Sequence, residues 1–322
     1  MEIEGDSLDA LLVELYGKLN NGANRNVGTR GETLEQLGVI LRLAKPRARL
    51  SRSEDRGKPF SALGEFLWYL SGSNSLDFIE SYVPMYRKEA EPDGTVHGAY
   101  GPRLLNMRAG INQFSSVIEL LRERSGSRRA VIQIFNAEDI ATHHKEVPCT
   151  TTLQFFVRND HLSMAVTMRS NDAYKGLPHD VFCFTMIQEM VARALGVCLG
   201  EYIHFVGSMH LYESDLAKAA HYLKEGHQRV VEMPPMPLGD QFPVVPLLVE
   251  FEEKLRNGEI VDANVTFDSD YWADIARLLQ VFWLSGKPER IDEVMEKISN
   301  KHYTVFAENR KGVPERQTLG RV

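Results

Sequence analysis

The stretch of sequence that decides the fold is residues 153–168, which read LQFFVRNDHLSMAVTM. Apolar side chains recur at every second position from Leu153 in the first half and from Leu162 in the second half. That period is typical of β-strands with one buried face. Asn159 and Asp160, between the halves, are residue types that favour tight turns. The stretch therefore predicts a β-hairpin whose two outer ends, near residues 149 and 169, lie close together.

Elsewhere the apolar pattern is mostly helical. Helices are predicted over residues 7–20, 60–71, 116–124, 181–195, 247–256, 271–285 and 288–300. Residues 129–135 predict one more strand, and five prolines between residues 233 and 246 indicate an irregular connection. Strands in the middle of the chain with helices on both sides predict an α+β fold, in a single domain over residues 1–322.

The composition is that of an ordinary soluble globular protein, with 43% hydrophobic and 25% charged residues in a chain of 322. A net charge of −7 argues against binding to nucleic acid or to an anionic membrane, so local arginines must hold any bound phosphate. The acidic N-terminus does not resemble a signal peptide. Three cysteines without a CxxC spacing predict a reducing cytoplasm, and no His or Cys pair has metal-ligand spacing.

Candidate chemistry is concentrated around the hairpin. Cys149 stands in the run Pro148-Cys149-Thr150, and residues 169–180 read RSNDAYKGLPHD. A thiol among polar residues, with an arginine brought near it, is a setting in which cysteine becomes a thiolate nucleophile. Cys183 and Cys198 occur in apolar surroundings and are predicted to be buried structural cysteines.

These two segments resemble the thymidylate synthase superfamily, in which a Pro-Cys nucleophile precedes an Arg-Ser-x-Asp-x-x-x-Gly-x-Pro-x-Asn segment. The resemblance extends over residues 25–215 and implies a thymidylate-synthase-like fold, with a mixed sheet flanked by helices and a homodimer packed through the sheet. It also implies a nucleoside monophosphate and 5,10-methylenetetrahydrofolate as substrates, and no metal. One position departs from the pattern, because Asp180 stands where the synthases have Asn. The cytosine-nucleotide hydroxymethylases of the superfamily share that replacement.

The resemblance implies roles for several side chains. Cys149 would attack C6 of a pyrimidine, Tyr100 would assist removal of the C5 proton, and Glu65 would organise water and proton transfer. A position on the helix surface is the alternative for Glu65. Asp172 matches the aspartate that binds the pterin ring of the folate, and Gly176 belongs to the same folate-binding segment.

Arginines are the implied phosphate ligands, because a phosphate dianion binds several guanidinium groups in a fork geometry. The pair Arg169-Ser170 matches the superfamily's Arg-Ser pair. The pair Arg128-Arg129 matches arginines that reach across a dimer interface to the partner's phosphate. Arg30 is the match for the remaining phosphate arginine, with Arg25 as its alternative.

His210 and Tyr212 match the His-x-Tyr pair that bonds the sugar 3′-hydroxyl, although Gly207-Ser208 replaces the usual Gly-Asp before it. Ala173 stands where many relatives have a larger or hydroxylated residue. The small side chain leaves room for a 2′-hydroxyl, which favours CMP over dCMP as the substrate.

Asp180 bears most directly on the choice of base. An asparagine offers one donor and one acceptor, which suits N3–H and O4 of uracil, whereas a carboxyl group accepts from the N4 amine of cytosine. Glu146 replaces an apolar leucine near the folate and the reacting carbon, which would admit water. The sequence therefore predicts a CMP or dCMP 5-hydroxymethylase. The alternatives are a thymidylate synthase acting on dUMP and a nucleotide- or folate-binding regulator without catalytic activity.

Overall fold

A mixed seven-stranded β-sheet lies at the centre of the computed structural model, which describes residues 1–28, 31–53 and 59–318. The strands are β1 Glu2–Gly5, β2 Asn24–Gly28, β3 Gly31–Leu43, β4 Val131–Gln133, β5 Thr150–Arg158, β6 His161–Asp172 and β7 Cys198–Tyr212. Their order is β1-β3-β7-β6-β5-β4, and β2 pairs with β3. The pairs β1–β3 and β6–β7 are parallel, and the other pairs are antiparallel.

Helices occupy much of the chain outside the sheet. They are α1 Leu8–Gly22, α2 Pro59–Ser71, α3 Leu76–Ile79, α4 Tyr100–Leu105, α5 Gln113–Glu123, α6 Gly176–Leu195, α7 Leu216–Glu225, α8 Val245–Arg256, α9 Ala263–Thr266, α10 Asp270–Trp283, α11 Pro288–Lys297 and α12 Thr304–Glu308. Every predicted helix is present, with shifted ends. The predicted fold class, a mixed sheet flanked by helices, is therefore confirmed.

The predicted hairpin is formed by β5 and β6. Its turn consists of Asn159 and Asp160, both in the left-handed region with φ of 49° and 58°, as a tight hairpin turn requires. After β6 the chain crosses through α6 to the parallel neighbour β7. Helix α6 begins at Gly176, earlier than the predicted residue 181, because Pro178 falls in the first turn, where no N–H is needed. It ends at Leu195 and is capped by Gly196, whose φ of 70° lies in the left-handed region.

Two long strands, β3 and β7, are not predicted by the apolar pattern. Gly38 interrupts β3 with a positive φ of 63°, and glycines and histidines break the apolar alternation along β7. Hydrogen bonding to neighbouring strands stabilises β7 even though its own sequence has no clear strand pattern, since β7 lies between β3 and β6 in the sheet. The prediction that Cys198 is a buried structural cysteine is wrong. It is exposed at the first residue of β7, whereas Cys183 is fully buried in α6.

The C-terminal helices pack against the segment around α2. The Phe60 and Phe282 rings stack with centroids 6.1 Å apart, which joins α2 to α10. The Tyr82 hydroxyl donates to Glu252 of α8 at 2.8 Å and accepts from the Trp283 ring nitrogen at 3.1 Å. The C-terminal part therefore supports the helix that carries Glu65. Across the ranges that the structure describes, no helix is both long enough and apolar enough to cross a membrane.

Candidate active site

The hairpin joins the cysteine segment to an arginine. The backbone N–H of Arg169 donates to the Cys149 carbonyl at 2.8 Å. The Arg169 guanidinium donates to the carbonyls of Pro148 and Val147, at 2.9 Å each. The Cys149 thiol is half-buried, and Arg169 is exposed. The sequence prediction that the hairpin brings these two segments together thus agrees with the observed geometry.

A buried phenol lies on the inner side of this segment. Tyr100, the first residue of α4, accepts a hydrogen bond from the backbone N–H of Thr150 at 3.1 Å. Burial, followed by the nearby Cys149 and Asp180, raises the pKa of Tyr100 well above its ordinary value. The phenol is therefore protonated at neutral pH, next to the half-buried thiol.

Glu65 is buried within a network of hydrogen bonds, so the alternative of a surface glutamate is wrong. One carboxylate oxygen accepts from the hydroxyls of Tyr69 at 3.1 Å and Tyr86 at 2.8 Å. The other oxygen is 2.9 Å from Nδ1 of His179, whose Nε2 lies 2.9 Å from the Ser61 hydroxyl. Burial alone raises the pKa of Glu65, but the bonds and charge of His179 and the two phenols outweigh it and lower the pKa.

Asp180 is buried one residue after His179, in the second turn of α6. One of its oxygens accepts from Nδ2 of Asn171 at 2.6 Å. Burial, reinforced by the charge of Glu65, raises the pKa of Asp180 well above its ordinary value, against the lowering effect of Asn171. The pKa values of the two buried carboxyl groups are thus shifted in opposite directions, that of Glu65 downwards and that of Asp180 upwards.

The predicted sugar-binding residues meet where β6 and β7 pair in parallel. Asp172 lies opposite His210 in the register. The Ser170 hydroxyl is 3.4 Å from Nδ1 of His210, and the rings of His210 and Tyr212 are perpendicular at 5.1 Å. Ala173 is fully buried, and its N–H donates to the His210 carbonyl at 2.8 Å.

The residues predicted to hold the folate lie around the start of α6 and before Cys149. One oxygen of Asp172 accepts from the backbone N–H groups of Tyr174 at 2.8 Å and Lys175 at 3.0 Å. The orientation of this half-buried carboxylate is therefore fixed, and its second oxygen is available to a ring N–H such as that of a pterin. A β-carbon at Gly98 would overlap the half-buried Glu146 carboxylate, which therefore packs closely against that glycine.

The other predicted phosphate ligands are not gathered at the cysteine by this chain. Arg128 and Arg129 are exposed, and neither forms an ion pair with a described residue. The Arg128 carbonyl accepts from Nε2 of Gln154 at 2.9 Å. Arg30 lies outside the described residues. Its alternative, Arg25, is exposed on β2, 3.9 Å from the Glu32 carboxylate.

The prediction of site residues missed His179 and Asn171, although both lie inside the segment 169–180. Neither has a sequence signal beyond its adjacency to Asp172 or Asp180. Their importance follows from contacts that only the fold creates, because His179 reaches across from α6 to Glu65 on α2.

A separate cavity of about 570 Å³ is lined by Glu91, His97, Arg103, Asp139 and His144 among others, and Cys149, Glu65 and Asp180 do not line it. In the ranges that the structure describes, no group of three or more His, Cys, Asp or Glu side chains could hold a metal ion.

A half-buried thiol beside a buried phenol and two buried carboxyl groups is an arrangement typical of enzymes that combine a nucleophile with acid–base groups. The thymidylate synthase family model matches residues 21–242, and the chain belongs to that family. The match reaches beyond the range 25–215 that carries the sequence resemblance. The protein is therefore a folate-dependent one-carbon transferase that acts on a nucleotide, with methylenetetrahydrofolate as co-substrate.

Proposed function

We propose that this enzyme converts cytidine monophosphate to its 5-hydroxymethyl derivative. The observation that carries the proposal is the state of Asp180, a buried carboxyl group whose pKa is raised well above its ordinary value by burial and by Glu65. A neutral carboxyl group has one donor and one acceptor oxygen, which complement N3 and the N4 amine of cytosine. Uracil can pair with the same neutral group through N3–H and O4, but its N3 already carries a hydrogen and cannot take up the shared proton, so only cytosine can form the stronger charge-assisted pair.

The proposed reaction begins with a bond between the Cys149 sulfur and C6, which makes C5 nucleophilic. C5 then bonds to the methylene carbon of the folate after the first of its two carbon–nitrogen bonds opens, and the second breaks to release tetrahydrofolate as the C5 proton leaves near Tyr100. Water adds to the exocyclic methylene carbon, and Cys149 departs as the ring double bond forms again. Nucleotide, methylenetetrahydrofolate and water give hydroxymethyl nucleotide and tetrahydrofolate, so the reaction consumes no oxidant or reductant.

Polar groups around the reacting carbon support addition of water rather than transfer of a hydride. Glu146 lies close enough to Tyr86 and Tyr100 to raise their pKa values, after burial as the main cause. Tyr86 also donates to Glu65. An ionised Glu65 with these phenols can orient a water molecule and accept its proton.

We infer that ribose is preferred over deoxyribose because Ala173, whose backbone is bonded to the His210 carbonyl and the Tyr16 hydroxyl, has only a methyl side chain. Its N–H donates to His210, and its carbonyl accepts from Tyr16 at 3.1 Å. These bonds fix the backbone, so the size of the side chain at 173 sets the space beside the sugar.

A homodimer packed through the sheet is also part of the proposal. The outward side chains of four neighbouring strands are uncharged along one row, where the register aligns Thr152, Thr167, Phe205 and Ile40. Phe205 remains 38% exposed in this row. Gln154, on the same face of β5, holds the Arg128 carbonyl, so Arg128 and Arg129 lie at the edge of the surface that a second copy would cover. From there they would reach the partner's phosphate site.

The test is to incubate the enzyme with methylenetetrahydrofolate and, separately, CMP, dCMP, UMP and dUMP, and to weigh the products. We expect CMP to gain the elements of CH₂O, with dCMP a poorer substrate. A gain of CH₂ on dUMP would instead identify a thymidylate synthase. Nucleotide binding without any product would identify a regulator that lacks catalysis.

A further inference from the structure

Asn171 presents a buried oxygen that has no hydrogen-bond partner among the described residues. The residue lies on β6 and is 3% exposed. Its amide nitrogen donates to Asp180 at 2.6 Å and lies 2.8 Å from the Met168 sulfur. The amide nitrogen of Asn171 is thus occupied by Asp180, whereas its Oδ1 is not. A buried amide oxygen without a donor is costly, so its retention needs a ligand or another explanation.

The buried oxygen of Asn171 lies beside Gly176, the first residue of α6. A β-carbon built at Gly176 would be 3.7 Å from Oδ1 of Asn171 and 3.6 Å from Oδ2 of Asp180. Both oxygens therefore flank the position that a side chain at residue 176 would occupy, and the glycine leaves that position without atoms. Two acceptors that converge on one point suit a donor with two hydrogens, and a primary amine is such a group.

We propose that Asn171 is a second specificity-determining residue, whose Oδ1 accepts one N4 hydrogen of cytosine while Asp180 accepts the other and meets N3. This assignment rests on the proposed function, since it requires a cytosine nucleotide. Uracil would bring its O4 towards Oδ1 of Asn171 without supplying a hydrogen to it. Selection against uracil is thus shared by two side chains.

The test compares the wild type with Asn171→Ala and Asn171→Ser on CMP and on N4-methyl-CMP, which has a single N4 hydrogen. We expect each variant to lower kcat/KM for CMP by roughly tenfold to a hundredfold, the scale for one buried hydrogen bond. The wild type should prefer CMP over N4-methyl-CMP, and the variants should largely lose that preference. Asn21→Ala, on the surface of α1, is the control and should change neither value.

Two results would overturn the inference, and they differ. If the variants lose activity equally on both nucleotides, Asn171 only holds Asp180 in position, and the proposed function stands without this role. If the wild type itself prefers UMP to CMP, the proposed function fails and this inference fails with it. Thermal melting of each variant, and calorimetric binding of CMP and N4-methyl-CMP, show whether a loss of turnover comes from the base contact or from unfolding.

Discussion

The two ends of the candidate site are built in different ways. At the base end, Glu65, Tyr100, Asn171 and Asp180 are all buried and bonded to neighbours in the same chain. At the phosphate end, Arg128, Arg129 and Arg169 are exposed, and only Arg169 is held against the cysteine segment. One chain thus completes the groups that would read and activate a base. At the phosphate end, by contrast, the described part of one chain does not gather its exposed arginines around the cysteine.

The largest effect is expected from Cys149→Ser at the base end. Because C5 becomes reactive only after addition at C6, turnover should fall by on the order of a thousandfold or more. Nucleotide affinity should stay within about tenfold, since phosphate and sugar contacts remain. Cys198→Ser, at an exposed thiol, is the matched control and should retain full activity. Steady-state rates and calorimetric binding measure both quantities, and full activity in Cys149→Ser would exclude the covalent mechanism.

Complementation between subunits tests whether the phosphate end is shared. The double variant Arg128→Ala/Arg129→Ala and the variant Cys149→Ser should each be inactive alone. If the arginines act in trans, a mixed dimer has one complete site, and equal mixing should restore about a quarter of wild-type activity. The measurement is activity after mixing, with subunit exchange followed by a tag on one chain. Exchange without any recovery would show that the arginines do not serve the partner's site.

The contact between His179 and Glu65 predicts how the activity of the enzyme depends on pH. His179→Phe removes a hydrogen bond that lowers the pKa of Glu65, so that pKa should rise. The acid limb of the kcat/KM profile should then move to higher pH, with activity at neutral pH reduced roughly tenfold. His179→Gln, which can still donate to Glu65, should restore much of the profile. His143→Phe is the control, since His143 is exposed. An unmoved acid limb in His179→Phe would exclude a role for His179 in the ionisation of Glu65.

The smallest expected effect is on the free energy of unfolding. A substitution at the base end should change it, whereas a substitution at the phosphate end should not. The pKa of Asp180 is raised in the folded protein, so the unfolded chain loses that proton first and stability falls as pH rises. Asp180→Asn should therefore stabilise the protein by about 1–3 kcal/mol near neutral pH, and by less in acid. Arg128→Ala should change stability little, because the side chain is exposed. Urea unfolding at pH 5 and pH 8 measures the difference, and an equal effect at both values would contradict the raised pKa.

An element of the fold could be predicted from the sequence where its structure depends on residues close together along the chain. The β5–β6 hairpin and helix α6 follow local periodicity and turn residues, so they were predictable. The strands β3 and β7 depend on pairing partners far along the chain, and a local pattern broken by glycines does not reveal them.

The candidate site divides in the same way. Cys149, Arg169 and Asp180 were identifiable, because they occupy positions of the superfamily motif, and Asp180 is the one that departs from it. The contacts His179–Glu65 and Asn171–Asp180 were not, because they join side chains whose proximity is created only by folding.

The most direct test of the central claim, that Asp180 selects the base, is the ratio of kcat/KM for CMP to that for UMP in the wild type and in Asp180→Asn. The wild type should favour CMP by orders of magnitude, because a mismatched base edge leaves buried groups unpaired. Asp180→Asn should lower activity on CMP and raise relative activity on UMP, with phosphate affinity little changed. We expect a large fall in this ratio from the wild type to Asp180→Asn. A wild type that turns over both nucleotides equally, or an Asn variant with an unchanged ratio, would contradict it.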